Sequence, residues 1–362
     1  MIKLLFLVPH LENKGPMSQL LALVNNLNFR RYKVSIICLF DERSNSLINE
    51  FSRDGIEIIK LCKRRWDLIG LRRAIKKNID KLSPDIIHST SAITDCIIST
   101  MRIKTPLVIT LHNYMYDDLI VQYGKIIGGL MCCFEKKAIY IARVPVACSK
   151  SLEEKYKQII NRKIVCVQNG IDVDKWKESF ANKNELRQKY RVDQDGYIFI
   201  STGLMLERKD PLTIIKAFKR ISDKNAKLIM LGDGELLEKC KNEAWGDERI
   251  RFTGRVDNVK DYLYLSDTLV SASFSEGLPY AILEASCTGI RMILSDIPQH
   301  HEAVCDNSNV SFFKTGDYKT LSELMGQNMT LTSRIKYDVD CFSARTMSNK
   351  YQKIYEKIVG GQ

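Results

Sequence analysis

Glu276 and Glu284 stand eight positions apart in the stretch SASFSEGLPYAILEASCTGIRMILSDIPQHHEAV, residues 271–304. It reads as the end of a strand, a loop, a helix, a second apolar strand over 291–294, and a polar turn running into another helix. Pro279 suits the first turn of the helix, where its fixed φ is already helical and its missing N–H is not needed. That spacing puts Glu276 in the loop ahead of the helix and Glu284 about 7 Å along the axis, at ~1.5 Å per residue. Between them fall the backbone N–H groups of Gly277, Leu278 and Tyr280, a phosphate-sized gap at the positive end of a helix. Glycosidase carboxylates face each other across one bond at roughly 5 to 9.5 Å. Two acids on successive turns of one element point along it, and suit the two ends of a long ligand.

A second constellation is Arg208-Lys209 in GLMLERKDP, residues 203–211, which follows an apolar strand. Ligands of open α/β sheets bind at the C-terminal ends of strands. Two adjacent cations there suit a diphosphate, the Arg as a planar fork and the Lys as a compact charge, and could stabilise a departing nucleoside diphosphate without metal. LGDGE, residues 231–235, lacks the third glycine of a dinucleotide fingerprint, since Leu237 occupies that place, so it speaks weakly for NAD. His112 follows the buried strand of ITLHNY, His88 in PDIIHS is expected only to line the cleft, and Gly15 sits in the loop LENKGPMSQL after the first strand. Taken singly, each of these is more often a solvated loop residue or a packed histidine. The five histidines include no H-E-x-x-H spacing, so neither a metal nor another cofactor is expected.

In combination the residues point further. EGLPYAILEA, followed by Gly289 and Ser295-Asp296, resembles the E-x7-E region of the family 4 (group 1) glycosyltransferases, retaining enzymes of the two-domain GT-B fold. The resemblance covers essentially the whole chain and is densest over 202–304. It implies that Glu276 holds the donor sugar and Glu284 the nucleotide ribose, and that Arg208 and Lys209 grip the phosphates. It also implies that Gly203 and Gly277-Leu278 line the donor site, that Val256 in FTGRV contacts the base through its backbone, that His112 sits by the reacting sugar, and that Gly15 approaches the donor phosphates. Two positions depart from the family pattern: Leu204 stands where an Arg is common, and Lys14 where a first Gly is often found. With no side chain placed as a nucleophile, the expected chemistry is front-face transfer, the leaving phosphate taking the acceptor's proton.

The elements that must position these groups alternate strand and helix. KLLFLV, KVSIICLF, IEIIKL, PDIIHS, PLVITL and VPVACS are short, β-branched and apolar on both faces, as in a parallel sheet covered by helices. Helices are expected over 17–27 and 67–82. Asn169-Gly170 marks a hinge, after which YIFISTG, KLIMLGDG, IRFTGR and TLVSAS restart the pattern, with helices over 211–221, from 235, and over 259–265. The expected fold class is α/β, two Rossmann-like domains facing across a cleft (GT-B). The expected bounds are 1–168 for an acceptor-side domain, 169–342 for a nucleotide-sugar domain, and 343–362 for a terminal helix crossing back to the first.

Composition sets the remaining bounds. The 362 residues suffice for two full cores. Eleven scattered cysteines without C-x-x-C suggest a reducing compartment, with neither a disulfide framework nor a zinc site. MIKLLFLVPH and IIGGLMCCF are too short to span a membrane. Net charge is +12, with 29 Lys and Arg against 18 Asp and Glu through Phe180, and 26 against 25 thereafter. The first half therefore expects an anionic partner. Within it, residues 63–82 carry eight basic residues among Trp66, Ile69, Ala74, Ile75 and Ile79. This is either a helix with a solvated basic face or one that docks to anionic lipid headgroups; nucleic acid lacks a recognisable module. The reading is a metal-independent retaining glycosyltransferase (a hexosyl- or N-acetylhexosaminyl-transferase) of cell-surface polysaccharide biosynthesis. Its partners would be a nucleotide sugar and a glycan or lipid-linked acceptor, in the cytoplasm or peripheral at the inner membrane face. The alternatives are a nucleotide-sugar epimerase of the same fold, or a non-enzymatic basic protein binding membrane or nucleic acid.

Overall fold

Runs of Ile, Val and Leu with no polar face have one stable destination, a parallel strand covered on both sides. The computed structural model, which describes residues 1–177, 182–192, 195–304 and 307–361, places them there. The chain divides into two units, Met1–Ile171 with Phe342–Gln362, and Asp172–Cys341. In the first unit, β1 (Ile2–Val8), β2 (Tyr32–Cys38), β3 (Ile56–Lys60), β4 (Ile86–Ser89), β5 (Leu107–Leu111), β6 (Val144–Ala147) and β7 (Val165–Cys166) form a parallel sheet in the order β3-β2-β1-β4-β5-β6-β7. β1 pairs with β2 from Ile2 opposite Tyr32 to Val8 opposite Cys38, and with β4 from Leu4 opposite Ile86. In the second unit, β8 (Ile198–Thr202), β9 (Lys227–Leu231), β10 (Ile250–Gly254), β11 (Thr268–Ser271), β12 (Arg291–Ser295) and β13 (Val310–Phe313) are ordered β10-β9-β8-β11-β12-β13, again all parallel. Both sheets reverse direction of growth once, between β1 and β4 and between β8 and β11, and it is at such switch points that the strand ends splay apart to leave a crevice. The two Rossmann-like α/β units expected from the sequence are thus present.

Each unit has its own core. Leu4, Phe6, Val34, Ile36, Ile86 and Val108 pack with Met347, Tyr351 and Tyr355 of the terminal helix Ala344–Val359 in the first. Phe199, Ile214, Phe218, Leu228, Val270 and Ile293 pack in the second. The terminal helix, capped by Ser343 accepting from Thr346 N at 3.2 Å, is tied to its unit by polar bonds as well. His88 lies fully buried between Tyr355 Oη (2.7 Å from Nδ1) and Thr110 Oγ1 (2.8 Å from Nε2). The expectation that His88 lines the ligand crevice is therefore corrected: it is a core group joining the sheet to the terminal helix.

Other differences are local. The first helix is Gly15–Asn25 rather than 17–27, and that at 67–82 is Leu68–Leu82, with Asp67 as its N-cap accepting from Gly70 N at 2.8 Å. Trp66 and Ile69 are exposed, and Leu71, Ile75 and Ile79 make the packed face. Among the described residues nine cysteines are free thiols and Cys341 is disulfide-bonded, where the sequence suggested no disulfide framework. Among the described residues no helix is long and apolar enough to cross a membrane.

Candidate functional site

In the second unit the loops after β8 and β11, the strands flanking the switch point, carry the two constellations singled out in the sequence. Residues Glu207–Lys209 make one 3-10 turn that ends on Asp210 in the left-handed region (φ 45°). Asp210 then caps the helix Pro211–Phe218, accepting from Thr213 N at 3.3 Å. A non-glycine residue held there is strained, and the cap and the proline behind it are what hold the turn. Phe274 N donates to the Arg208 carbonyl at 2.8 Å, stitching the loop after β11 to this turn.

Across that stitch the side chains meet. Glu276 is only 5% exposed and is paired with both cations: Arg208 Nη1 donates to Oε2 at 3.1 Å and Lys209 Nζ to Oε1. Arg208 Nη1 also donates to the Ser275 carbonyl at 3.1 Å, and Ser273 Oγ to Glu276 Oε1 at 2.7 Å. Burial pushes the Glu276 carboxyl up, but Lys209 and Arg208 together outweigh it and hold it at about 2. Burial likewise lowers the Lys209 amine, against the pull of Glu276. The carboxylate is thus fully ionised at neutral pH, an acceptor of hydrogen bonds with no proton to give.

The floor beneath is backbone. Gly232 (φ 127°) passes so close to the loop after β8 that a Cβ on it would lie 1.9 Å from the Gly203 carbonyl oxygen, and one on Gly234 would lie 2.5 Å from that of Met205. Gly203 N donates to Leu231 O (3.0 Å), Met205 N to Asp233 O (2.9 Å) and Gly232 N to Gly254 O (2.9 Å). The loops after β8, β9 and β10 are therefore one hydrogen-bonded layer, and the LGDGE segment is the tight turn that lets them approach. Leu204 replaces an Arg in this layer with an aliphatic side chain. Val256 lies two residues beyond β10 and is partly exposed.

Gly277 and Leu278 are buried, and the helix that follows is Tyr280–Thr288, with Pro279 at the N-cap (φ −73°, ψ 117°) instead of inside the first turn. Proline's fixed φ serves either position. Glu284 stands on the second turn, and burial raises its carboxyl to about 8 against the nearby Lys175. At pH 7 it keeps a proton and can both donate and accept. Two partners of this site carried no sequence signal. Ser273 fixes the Glu276 carboxylate, and His300, fully buried with Nδ1 donating to the Ser295 carbonyl at 2.8 Å, lies close enough to act on its charge. Serines and a lone histidine in strand-end loops look like any turn residue until the fold juxtaposes them.

His112 and Gly15 belong to the first unit. Gly15 opens the helix Gly15–Asn25, with Lys14 as its extended N-cap, and has no positive φ that would demand a glycine. His112 follows β5 and lines a pocket of about 330 Å³ at the β1–β4 switch point, with His10, Glu12, Thr90 and Ser91. Its Nε2 is buried without a hydrogen-bond partner, and burial lowers it to about 4, so the ring is neutral. The same pocket is lined by two carboxyls that the sequence reading passed over. Asp95 is fully buried with neither oxygen hydrogen-bonded, and Glu135 has Oε2 unbonded while Tyr156 Oη donates to Oε1 at 3.3 Å. Burial raises Asp95 to about 7 and Glu135 well above the carboxylate range. Among the described residues no group of three or more His, Cys, Asp or Glu is arranged to hold a metal ion.

Residues 182–335 match the family model described as "Glycosyl transferases group 1", and residues 15–175 that of "Glycosyltransferase Family 4". An uncharacterized glycosyltransferase of Methanocaldococcus jannaschii is 31% identical over 293 residues, 76% of this chain and 68% of that one. The UDP-Gal:alpha-D-GlcNAc-diphosphoundecaprenol alpha-1,3-galactosyltransferase of Escherichia coli is 27% identical over 286 residues, 74% of this chain and 72% of the relative. Among solved structures, that of Anabaena HepE in complex with UDP and glucose has a TM-score of 0.80 at 16% identity, over 99% of this chain and all of that one. Two parallel-sheet units with paired acids and cations at a switch point, together with these matches, place the chain in the group 1, family 4 glycosyltransferases.

Proposed function

We propose that this glycosyltransferase moves a hexosyl or N-acetylhexosaminyl group from a nucleotide-sugar donor to a glycan or lipid-linked acceptor, with retention and without metal, in cell-surface polysaccharide assembly. The observation that carries the reading is the buried Lys209–Glu276–Arg208 cluster at the β8–β11 switch point. In the proposed mechanism the two cations take the diphosphate, helped by the backbone at Gly203 and Gly277-Leu278. The ionised Glu276 accepts from hydroxyls of the transferred sugar, the protonated Glu284 bonds the ribose, and the backbone at Val256 meets the base. The bond from the sugar's anomeric carbon to the phosphate oxygen breaks as that to the acceptor oxygen forms on the same face. The acceptor's proton passes to the departing phosphate, whose charge Arg208 and Lys209 stabilise. The first unit, which carries His112 and Gly15, would take the acceptor. Support for a uridine donor and a lipid-diphosphate acceptor comes from the names of the E. coli relative and the HepE complex. The positive excess of the first half fits work at the anionic inner face of a membrane.

Transfer and donor hydrolysis assayed with Lys209→Ala and Glu276→Ala should each fall by about 10²–10³, with activity kept in EDTA. Near-normal rates in both variants remove the mechanism, and complete loss in EDTA restores a metal.

A further inference from the structure

The longest helical segment, Met115–Ile141, is broken at Gly124 (φ 78°) and doubles back on itself. A Cβ on Gly128 would meet the Leu119 carbonyl oxygen at 2.4 Å and Ile120 Cα at 2.7 Å, and Cys132 Sγ lies 3.6 Å from the Met115 carbonyl. Residues 115–123 and 125–141 are therefore two closely packed antiparallel limbs with their tip at Gly124. The tip is apolar and bare: Ile126 is 88% exposed and Ile127 60%, with Val121 and Leu130 exposed beside them. Lys125 is the only charged residue between Asp118 and Glu135.

A second bare group lies just ahead of the basic helix Leu68–Leu82. Trp66 is 78% exposed, with Leu68 and Ile69 also exposed and the Arg64 guanidinium 5.6 Å from the Trp66 ring. Arg64 and Arg65 precede it and Arg72 and Arg73 follow on the helix, all four exposed, and the one acid of residues 63–79, Asp67, caps the helix and faces Lys63 at 3.8 Å. The two groups adjoin, because Arg65 lines the same pocket as Gln122 and Tyr123 of the hairpin, the pocket that holds His112.

We propose that the hairpin tip and residues 64–69 together dock this domain on an anionic bilayer, the four aliphatic side chains and Trp66 entering the headgroup region while the arginines and Lys125 meet lipid phosphates. Large aliphatics left bare at a tip whose residues 119–134 carry one cation and no acid, next to a segment where four arginines outnumber Asp67, match a surface that is apolar below and negative above. Indole at the boundary is favoured for the same reason. A second protein copy is the poorer occupant, since it would have to meet an excess of arginines with a surface on which Asp67 is outnumbered. The pocket mouth would then open at the membrane plane, where a lipid-linked acceptor presents its sugar; that consequence rests on the proposed transfer reaction, whereas the docking does not.

The test is co-sedimentation of the full chain with vesicles of phosphatidylglycerol and phosphatidylcholine (3:7) and of phosphatidylcholine alone, with UDP binding measured calorimetrically in parallel. The wild type should partition to the anionic vesicles, and Ile126→Glu with Ile127→Glu should lower that partition at least about tenfold while leaving UDP affinity unchanged; Ile126→Ser with Ile127→Ser should lower it in the same direction. Equal partition of wild type and both variants overturns the proposal. So does a wild-type dimer in sedimentation velocity that these changes convert to monomer without altering vesicle binding. Loss of UDP binding in every protein while the tip-dependent partition persists would instead count against the donor reading and leave the docking standing.

Discussion

Replacing Glu276 with Gln keeps the shape of the site and removes one charge, and the structure says which way each property should move. The carboxyl sits at about 2 where an unperturbed one sits near 4.5. The difference corresponds to about 3 kcal/mol of net attraction for its charged form, at 1.36 kcal/mol per pH unit. In the unliganded protein that attraction is spent on Lys209 and Arg208, the two groups proposed to take the diphosphate. Glu276→Gln should therefore free them. Recovering a third to a half of the attraction, ~1–2 kcal/mol, would tighten UDP binding about 5- to 30-fold. Sugar transfer should fall about 10²- to 10³-fold, because the acceptor for the sugar hydroxyls is weakened. The calorimetry is run at pH 6.5, on the acid side of neutrality, because burial lowers the Lys209 amine and the variant lacks the acid that raises it. A second signature is pH-dependent stability. A carboxyl depressed in the folded state contributes its full stabilisation above about 4.5 and loses it as pH falls toward 2, so acid unfolding of the wild type should show a limb in that window that Glu276→Gln lacks. Unchanged or weaker UDP binding in a folded Glu276→Gln variant would refute the reasoning, since the carboxylate would then be an anchor for the cations and not their competitor.

Two further outcomes follow from groups outside that cluster. Asp95, raised to about 7 from 3.8, keeps its proton while the unfolded chain ionises, so it costs stability progressively from about pH 4 to pH 7, up to ~4 kcal/mol above that range; urea unfolding of Asp95→Asn should show a gain at pH 8 that vanishes at pH 4, and a pH-independent gain would show that the acid is ionised when folded. Gly232→Ala forces a Cβ to 1.9 Å from the Gly203 carbonyl at a φ of 127°, so it should cost about 3 kcal/mol or more and weaken UDP binding by displacing the loop that carries Arg208 and Lys209; wild-type unfolding and affinity would contradict the backbone layer described above.

What the sequence revealed and what it hid divide along range. Strands buried on both faces have a local signature, and the helix Val259–Leu265 lies at the expected residues. The loops bearing Glu276 and Arg208-Lys209 were legible because each sits directly after an apolar run. Burial of charge was not legible. Asp95 and Glu135 read as ordinary solvated acids, and only the packing of the helix Ala92–Ser99 against the doubled-back helix closes water away from them. Nor was the hairpin legible, because Gly124 changes the direction of the chain within one residue, and IIGGLMCCF looks the same whether its isoleucines are bare or packed. His88 failed for a third reason: its partner Tyr355 is 267 residues away.

Electrostatics give the two switch points different tasks. At the first, burial holds His112 neutral and pushes Asp95 and Glu135 up toward or beyond neutrality, while the buried Glu12 on the same lining is paired with Lys14 at 2.9 Å and Arg43 at 3.3 Å. Uncharged donors and acceptors with unmet hydrogen bonds suit a polyhydroxyl ring, for which an ionised wall would impose a desolvation cost without a matching charge. At the second, two cations against one fully ionised acid leave a net positive charge, and three bonded loops fix its position. That is an arrangement for an anion that arrives, gains charge as its bond to the sugar breaks, and departs. The same strand order thus supports a recess lined in part by proton-bearing acids and a charged clamp. The difference comes from whether a buried acid has cations beside it, as Glu276 has in Arg208 and Lys209, or only burial acting on it most strongly, as Asp95 has.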